Sequence, residues 1–162
     1  MPKDIRPYID SSVWLGWKNR EIVNGVDRFS VFQSIWEAAQ RGEFKLFISA
    51  MTFAEVYKLR HESFTQPVQT VAQLLADFEE SFIEVVETDR DIGIQANVMC
   101  RQFAAYKLYP NDSIHLASAL RVPCDYLLCY DRPLSSVTMP DIIIAEPEKV
   151  LAPAIQNRLE GL

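Results

Sequence analysis

Five short apolar runs alternate with longer segments of helical periodicity along this chain. Runs of about five apolar residues between polar breaks are typical of strands that are buried on both faces. Strands separated by helices indicate right-handed crossover connections, and these build a mostly parallel sheet with helices on both faces. We therefore predict an α/β fold with strands at residues 5–9, 45–48, 83–86, 126–129 and 142–145.

Four segments between these runs carry apolar residues at helical spacing. The first spans residues 29–41 and precedes Gly42, a predicted C-cap. The second opens at Pro67, and its apolar positions 68, 71, 72, 75 and 78 share one helix face. The third spans residues 88–107, and the fourth is a short helix at 112–120.

The length of 162 residues suits one domain with a sizeable buried core. We assign residues 1–147 to this domain and residues 148–162 to a tail, predicted as a short helix that packs on the domain or on a partner. No apolar run approaches the ~20 residues of a membrane span, and no secretory h-region precedes the first strand. These features predict a cytoplasmic protein without membrane association.

The net charge and the numbers of cysteine and histidine residues limit which ligands and metal ions the protein is expected to bind. A formal charge of -6 argues against broad electrostatic capture of nucleic acid, although an acidic site can reach phosphates through bound metal. Three cysteines and two histidines, without a CxxC pair, argue against a zinc site. Cys100, Cys124 and Cys129 are predicted to be reduced thiols that pack as small hydrophobes.

Four acidic residues follow the predicted strands or the turns after them. They are Asp10, Glu55, Asp112 and Asp131. Because open α/β sheets bind ligands at their carboxyl edge, we expect these carboxylates to converge there. A carboxylate cluster without histidine or cysteine suits a hard cation such as Mg2+ or Mn2+. Such an ion orients and activates water for in-line attack on a phosphodiester.

Each acid also has an ordinary structural role open to it. Asp10 can cap the following helix, and Asp131 can belong to a turn. The segment 52–55, which ends in Glu55, matches the S/T-x-x-E capping box. Asp112 can complement the dipole of the helix that it begins, whether or not Asn111 is the cap. Four acids at equivalent topological positions favour the functional interpretation over these separate ones.

The ordered set of acidic motifs resembles that of the PIN-domain family. The resemblance covers about residues 5–145 and is carried by Asp10 in YIDSSVWL, Glu55 in SAMTFAEVYK, Asp112 in NDSIHLASAL and Asp131 in YLLCYDRPL. It implies a three-layer α/β/α sandwich, a divalent-metal site and ribonuclease activity on single-stranded or structured RNA. The four acids would be the catalytic and metal-binding residues, and Ser12 would be a small polar residue that supports the site.

The resemblance also implies partners. Small prokaryotic PIN proteins are commonly VapC-type toxins, which are dimers silenced by an antitoxin chain. A homodimer, an antitoxin partner and an RNA substrate are therefore expected. The alternative is a catalytically inactive PIN-like module for binding or assembly, but the presence of all four acids favours the nuclease. Two departures bear on the toxin subtype: Cys129 stands where related proteins often have threonine, and residues 19–27 lengthen the chain.

Other side chains have predicted roles near the site or in the core. Arg132, next to Asp131, is predicted to contact RNA phosphates or to balance the acidic cluster. His115 is predicted to pack and to hydrogen-bond nearby backbone rather than to bind metal. The tryptophans at positions 14, 17 and 36 have helical spacing, which favours core or dimer contacts over base stacking.

Overall fold

A five-stranded parallel sheet lies at the centre of the computed structural model, which describes residues 5–56 and 69–150. All five predicted strands are present, with ends that differ from the prediction by two residues or fewer. A short antiparallel ribbon adds two further strands. In chain order the strands are β1 (Pro7–Ile9), β2 (Ile22–Val23), β3 (Val26–Asp27), β4 (Leu46–Ser49), β5 (Ile83–Val86), β6 (Tyr126–Leu128) and β7 (Ile143–Ala145).

Helices connect the strands and cover both faces of the sheet, so the predicted α/β sandwich is confirmed. Two 3-10 helices, Ala104–Tyr106 and Leu134–Ser136, accompany them. The α-helices are α1 (Ser11–Lys18), α2 (Arg28–Gln40), α3 (Thr52–Glu55), α4 (Val71–Phe78), α5 (Arg90–Gln102), α6 (Pro110–Arg121) and α7 (Pro147–Val150). No helix in the described ranges is both long and apolar enough to cross a bilayer.

The strand order is β5-β4-β1-β6-β7, and every neighbouring pair is parallel. The first strand is therefore central: Ile9 pairs with Ile48 on one side and with Leu128 on the other. The chain builds the sheet outward from β1 in one direction and then in the other. This reversal opens a crevice at the carboxyl ends of the central strands, where ligands of such sheets bind.

Alternating strand residues separate the core into two layers. On one face Ile9, Ile48 and Leu128 pack against α1, α2 and α4. This layer is aromatic: the rings of Trp14 and Trp17 meet edge to face at 5.3 Å between centroids. All three tryptophans are buried, so of the predicted core or dimer contacts the structure shows the core contacts.

The opposite face is aliphatic with polar insertions. Tyr8, Phe47 and Leu127 point to this side and pack against α5 and α6. Serine and histidine side chains of α6 are buried in the same layer. Cys124 and Cys129 are buried there as free thiols, as predicted, and Cys100 is half-buried and also free.

The helix predicted to open at Pro67 is only partly correct. Pro67 and position 68 lie outside the described residues, and α4 begins after Thr70, whose hydroxyl accepts a hydrogen bond from the backbone N–H of Gln73 at 3.2 Å. The helix buries Leu74 and Phe78, whereas Val71 and Leu75 of the predicted apolar face are exposed. Leu74 and Phe78 pack into the aromatic core, so the buried face differs from the one expected.

Residues 19–27 form an exposed hairpin that the sequence pattern did not predict. Strands β2 and β3 pair antiparallel over two residues each. Asn24 and Gly25 between them have φ values of 52° and 80°, the combination that a tight type I′ turn requires. At the other end of the chain, α7 begins at Pro147, and the predicted tail helix beyond residue 150 lies outside the described residues.

Candidate active site

Three of the four predicted acids are buried together at the carboxyl edge of the sheet. Asp10 directly follows β1, Glu55 ends α3 after β4, and Asp112 lies in the first turn of α6. Their relative exposures are 3%, 7% and 5%. Three different crossover units thus deliver one carboxylate each to the crevice beside the central strand.

Asp10 is fixed by its own turn and by the neighbouring strand. Its Oδ2 accepts hydrogen bonds from the backbone N of Ser12 at 3.0 Å and from the Ser12 hydroxyl at 2.5 Å. The Ser12 hydroxyl in turn accepts from the backbone N of Tyr130 at 3.0 Å. The backbone N of Asp10 donates to Leu128 O at 3.0 Å. Asp10 is therefore the N-cap of α1, and Ser12 joins it to the segment that follows β6.

Glu55 does not form the capping box that its sequence context indicates. The cap position of α3 is Met51, without a side-chain cap bond, and the hydroxyl of Thr52 has no hydrogen-bond partner in the described structure. Instead, Glu55 Oε2 accepts from His115 Nε2 at 2.6 Å and Oε1 accepts from Asn111 Nδ2 at 2.9 Å. Burial raises the pKa of Glu55, but these two partners outweigh it and lower the pKa to about 2.

His115 is the centre of this network, and its partners differ from the predicted ones. The ring is fully buried, as expected, but its hydrogen bonds go to side chains rather than to nearby backbone. Nδ1 shares a hydrogen bond with the Tyr8 hydroxyl at 2.9 Å, and Nε2 also lies 3.5 Å from Asp10 Oδ1. Burial lowers the pKa of His115, yet the charges of Asp10, Glu55 and Asp112 raise it overall. The upward shift favours the imidazolium form of His115, which offsets part of the negative charge.

Asp112 combines a capping role with an unusual electrostatic environment. Its Oδ2 accepts from the backbone N of Tyr109 at 3.0 Å, so Asp112 satisfies the start of α6 while Asn111 turns to Glu55. Burial raises the pKa of Asp112; the Tyr109 amide and His115 oppose this, and the charges of Asp10 and Glu55 add to it. The net shift is upward, as expected for carboxylates that crowd one another.

Asp131 lies at the rim of the same edge rather than in the buried cluster. It is exposed, and its backbone carbonyl accepts from the Ser135 N–H at 3.1 Å, the turn role open to it from sequence. After burial itself, the charges of Asp10, Asp131, Asp112 and Glu146 raise the pKa of the Cys129 thiol. The thiol is therefore within electrostatic range of three of the predicted acids and of Glu146. The sequence interpretation missed Glu146, which directly follows β7 and contacts Lys149 at 2.7 Å.

Two further contacts, Tyr8–His115 and Asn111–Glu55, were not predicted from the sequence. A sequence pattern could have indicated the first of them. Tyr8 lies in β1 and Asp10 directly follows that strand two residues later, so strand periodicity places them on one side of the sheet. A buried tyrosine there needs a polar partner, which His115 provides. No comparable signal identifies the Asn111–Glu55 bond, because it joins residues that are 56 positions apart.

The donor atoms at this edge fit a hard divalent cation in type. Within residues 5–56 and 69–150, however, no three histidine, cysteine, aspartate or glutamate side chains are arranged to hold a metal ion together. Both oxygens of Glu55 accept hydrogen bonds from neighbouring side chains. Asp10 and Asp112 each have only one oxygen in a hydrogen bond, so each has a second carboxylate oxygen that could bind an ion.

A family model described as the PIN domain matches residues 8–152. Comparison with curated proteins finds no match. Among solved structures, VapC20 from Mycobacterium tuberculosis, a toxin that cleaves the sarcin-ricin loop, superposes with a TM-score of 0.60 at 14% identity. The match covers 85% of this chain and 98% of that one.

Two structures of complexes are similar as well. VapBC2 from Rickettsia felis, bound to a DNA fragment from its promoter, gives a TM-score of 0.56 at 12% identity and covers 86% of this chain and 97% of that one. DNA-bound VapBC from Salmonella typhimurium also gives 0.56, at 15% identity, with 88% and 98% covered. At these identities the likeness concerns the fold.

Proposed function

Because this chain belongs to the PIN-domain family, we propose that it is a divalent-metal-dependent endoribonuclease. It hydrolyses phosphodiester bonds of single-stranded or structured RNA. The observation that carries this proposal is the burial of Asp10, Glu55 and Asp112 at one edge of the sheet. Three converging carboxylates offset by one histidine are costly to a fold unless the site has a function.

Asp10 and Asp112 hold the metal ion in this proposal, with Glu55 and Asp131 as the further catalytic acids. A bound Mg2+ or Mn2+ supplies activation of the attacking water and stabilisation of the leaving oxygen. The chain's own part is to orient the carboxylates. Ser12 holds one oxygen of Asp10, and the Tyr109 amide holds one oxygen of Asp112. The remaining oxygen of each is thereby positioned in advance, without reorganisation during the reaction.

Arg132 supplies positive charge for the RNA in this proposal. It is exposed and follows Asp131 directly at the rim of the site. A guanidinium there is suited to a phosphate oxygen of a bound RNA chain. Since the protein carries a net charge of -6, such local cations have to compensate for general electrostatic repulsion of RNA.

We also propose that the protein is the toxin of a toxin–antitoxin pair, acts in the cytoplasm and forms a homodimer. Two of the structural neighbours are VapBC assemblies bound to DNA, and these support an antitoxin partner for a protein of this fold. A neighbouring gene for a small antitoxin, and co-purification of its product with this chain, would support the pairing.

A second candidate function is a catalytically inactive PIN-like module for binding or assembly. The engagement of both Glu55 oxygens by His115 and Asn111 favours it, because that glutamate is then committed to holding the protein together. The two functions differ in whether a divalent ion binds in a manner that depends on Asp10 and Asp112. Calorimetric titration of the protein with Mg2+ and Mn2+ separates them.

The decisive experiment measures cleavage of a mixed panel of single-stranded RNAs with Mg2+, Mn2+ or EDTA. Asp10→Asn and Asp112→Asn are expected to keep the fold and to lower the cleavage rate by at least about 100-fold. Each variant removes a carboxylate charge that holds the metal ion, and the metal ion stabilises the transition state. Asp141→Asn, at an exposed aspartate before β7, is the matched control and should cleave normally. Undiminished cleavage by Asp10→Asn would overturn the proposed site, whereas no cleavage and no metal binding by the wild type would favour the binding module.

A further inference from the structure

Tyr109 is exposed at a point where the chain is otherwise firmly held. Its side chain is 66% exposed, one of the largest exposed apolar surfaces in the described part of the chain. Its backbone N donates to Asp112 Oδ2 at 3.0 Å. The ring therefore belongs to a residue whose backbone is hydrogen-bonded to Asp112, a carboxylate that we assign to catalysis.

The backbone on both sides of this ring is fixed. Tyr109 has φ of -75° and ψ of 157°, the extended conformation that a following proline favours, and Pro110 begins α6. Two residues later, Asn111 donates to Glu55 at 2.9 Å. The segment from Tyr109 to Asp112 thus contacts two of the buried acids, so the ring is presented on a rigid support. Only two side-chain torsions remain to be ordered when a ligand contacts it.

We infer that Tyr109 is a substrate-binding residue whose ring stacks on an unpaired base next to the cleaved phosphodiester. The inference rests on the proposed ribonuclease function and specifies its substrate as RNA with an unstacked, accessible nucleotide at the cleavage position. An aromatic face accepts any base, and such stacking is worth about 1–3 kcal/mol per base in single-stranded nucleic-acid binding. In an acidic protein, an uncharged contact of this kind adds affinity that the net charge cannot provide.

The location favours a nucleotide base over a protein side chain as the occupant. A phosphodiester that reacts at Asp112 brings its two flanking nucleotides to the mouth of the site, and Tyr109 is the N-cap of the helix whose first turn carries Asp112. Fully base-paired RNA keeps its bases stacked inside the helix and cannot use such a platform. Tyr109 therefore also explains why a single-stranded or looped segment would be preferred.

The test compares Tyr109→Ala with the wild type on two RNAs. One is intact, and in the other an abasic ribose replaces a nucleotide flanking the cleaved linkage, tested on each side in turn. On intact RNA, Tyr109→Ala should raise KM roughly 5- to 150-fold with little change in kcat, because the contact is made equally in ground and transition states. On one of the abasic RNAs, the variant and the wild type should have similar KM values.

Two controls distinguish stacking from structural damage. Tyr109→Phe keeps the ring and should keep the wild-type KM within about twofold. Tyr106→Ala removes another exposed tyrosine, 42% exposed and three residues earlier, and should change nothing. A fall in kcat on every RNA would assign Tyr109 only to the support of Asp112. An unchanged KM, or equal effects of the two alanine variants, would also overturn the inference and leave the ring available to a protein partner.

Failure of the ribonuclease proposal can be distinguished from failure of the stacking inference. If the wild type binds but does not cleave RNA, the nuclease proposal fails, and the stacking contact is tested by fluorescence anisotropy with oligouridine and an abasic ribose-phosphate chain of equal length in Mg2+. Weaker binding of Tyr109→Ala to oligouridine alone supports the contact; equal binding by both proteins overturns it. If the wild type cleaves and Tyr109→Ala has a normal KM, the nuclease proposal stands without the stacking residue.

Discussion

The two faces of the sheet differ in the kind of side chain that they bury. On the α1–α2 face, rings of Trp14, Trp17 and Trp36 pack with centroid distances of 4.8–5.9 Å. On the α5–α6 face, the buried layer includes His115 and Tyr8 and leads upward to the acidic edge. The aromatic layer needs only shape and apolar area, whereas the polar layer needs specific partners. Stability and site geometry are therefore separable by mutation.

The largest effect is expected from the aromatic face. Trp14→Ala removes a side chain with 1% exposure that contacts four other aromatic rings, so it should lower the free energy of unfolding by about 3–5 kcal/mol. Urea denaturation monitored by circular dichroism measures this. Divalent-metal affinity of the folded variant should stay close to wild type, and a tenfold loss of affinity without unfolding would show that the two faces are not separable.

An intermediate effect, dependent on pH, is expected from the polar face. The folded-state pKa of Glu55 is lowered from 4.5 to about 2, so its contribution to stability is present above about pH 4.5 and is lost as the pH falls toward about 2. The pKa of His115 is raised from 6.5, so its contribution is present below about pH 6.5 and is lost at higher pH. The ion pair between Glu55 and His115 therefore contributes most to stability between about pH 4.5 and pH 6.5.

Glu55→Gln tests this window. At pH 5.5 it should lower the free energy of unfolding by about 2–3 kcal/mol, and the loss should shrink toward pH 2 because wild-type Glu55 is then also neutral. Urea titrations from pH 2.5 to 8 provide the profile. Glu84→Gln, at an exposed glutamate of β5, is the matched control with an expected change below about 0.5 kcal/mol. A loss that is constant over the whole range would contradict the ionised pair.

The smallest effect is expected from the hydroxyl that supports Asp10. Ser12→Ala removes one hydrogen bond to Asp10 and leaves the Tyr130 amide without its acceptor, which should cost about 1–2 kcal/mol of stability. Metal affinity should fall about tenfold, since a ligand loses its orienting partner. Ser30→Ala removes the equivalent bond to exposed Asp27, at 2.6 Å, and serves as the control in both measurements. If both serine variants changed stability and metal affinity equally, Ser12 would have no specific role in supporting Asp10.

Patterns of hydrophobicity were sufficient for the sheet and insufficient for some of its connections. The five strands of the central sheet were predictable because each contains a short apolar run between polar breaks. The signal is most direct in β1, β4 and β6, which are buried almost throughout. The ribbon formed by β2 and β3 was not, because two-residue strands with exposed side chains produce no periodicity. The predicted buried face of α4 was wrong because apolar residues lie on more than one face of this helix, and the packing of Leu74 and Phe78 into the core selects one of them.

The candidate site was predictable in position and not in its contacts. Parallel topology brings Asp10 and Glu55 to one edge because each lies shortly after a strand of the sheet. Asp112 lies in the second α-helix between β5 and β6, so its place at that edge also depends on how α6 packs. The bond between His115 and Glu55 joins residues 60 positions apart and depends on the packing of α6 against the sheet. No local spacing encodes such a contact. Local signals even misled, since the capping-box pattern at Glu55 is not used.

The central position of β1 has a consequence for synthesis of the chain. The earliest strand to leave the ribosome carries Asp10, yet the backbone amide of that residue is anchored by Leu128, far later in the sequence. Until β6 has emerged, β1 has one unpaired edge, and Asp10 also lacks the link through Ser12 to Tyr130. A nascent chain therefore carries Asp10 without a finished site until residues 128 and 130 have been synthesised. Completion of the acidic edge depends on contacts of high sequence separation, which form slowly.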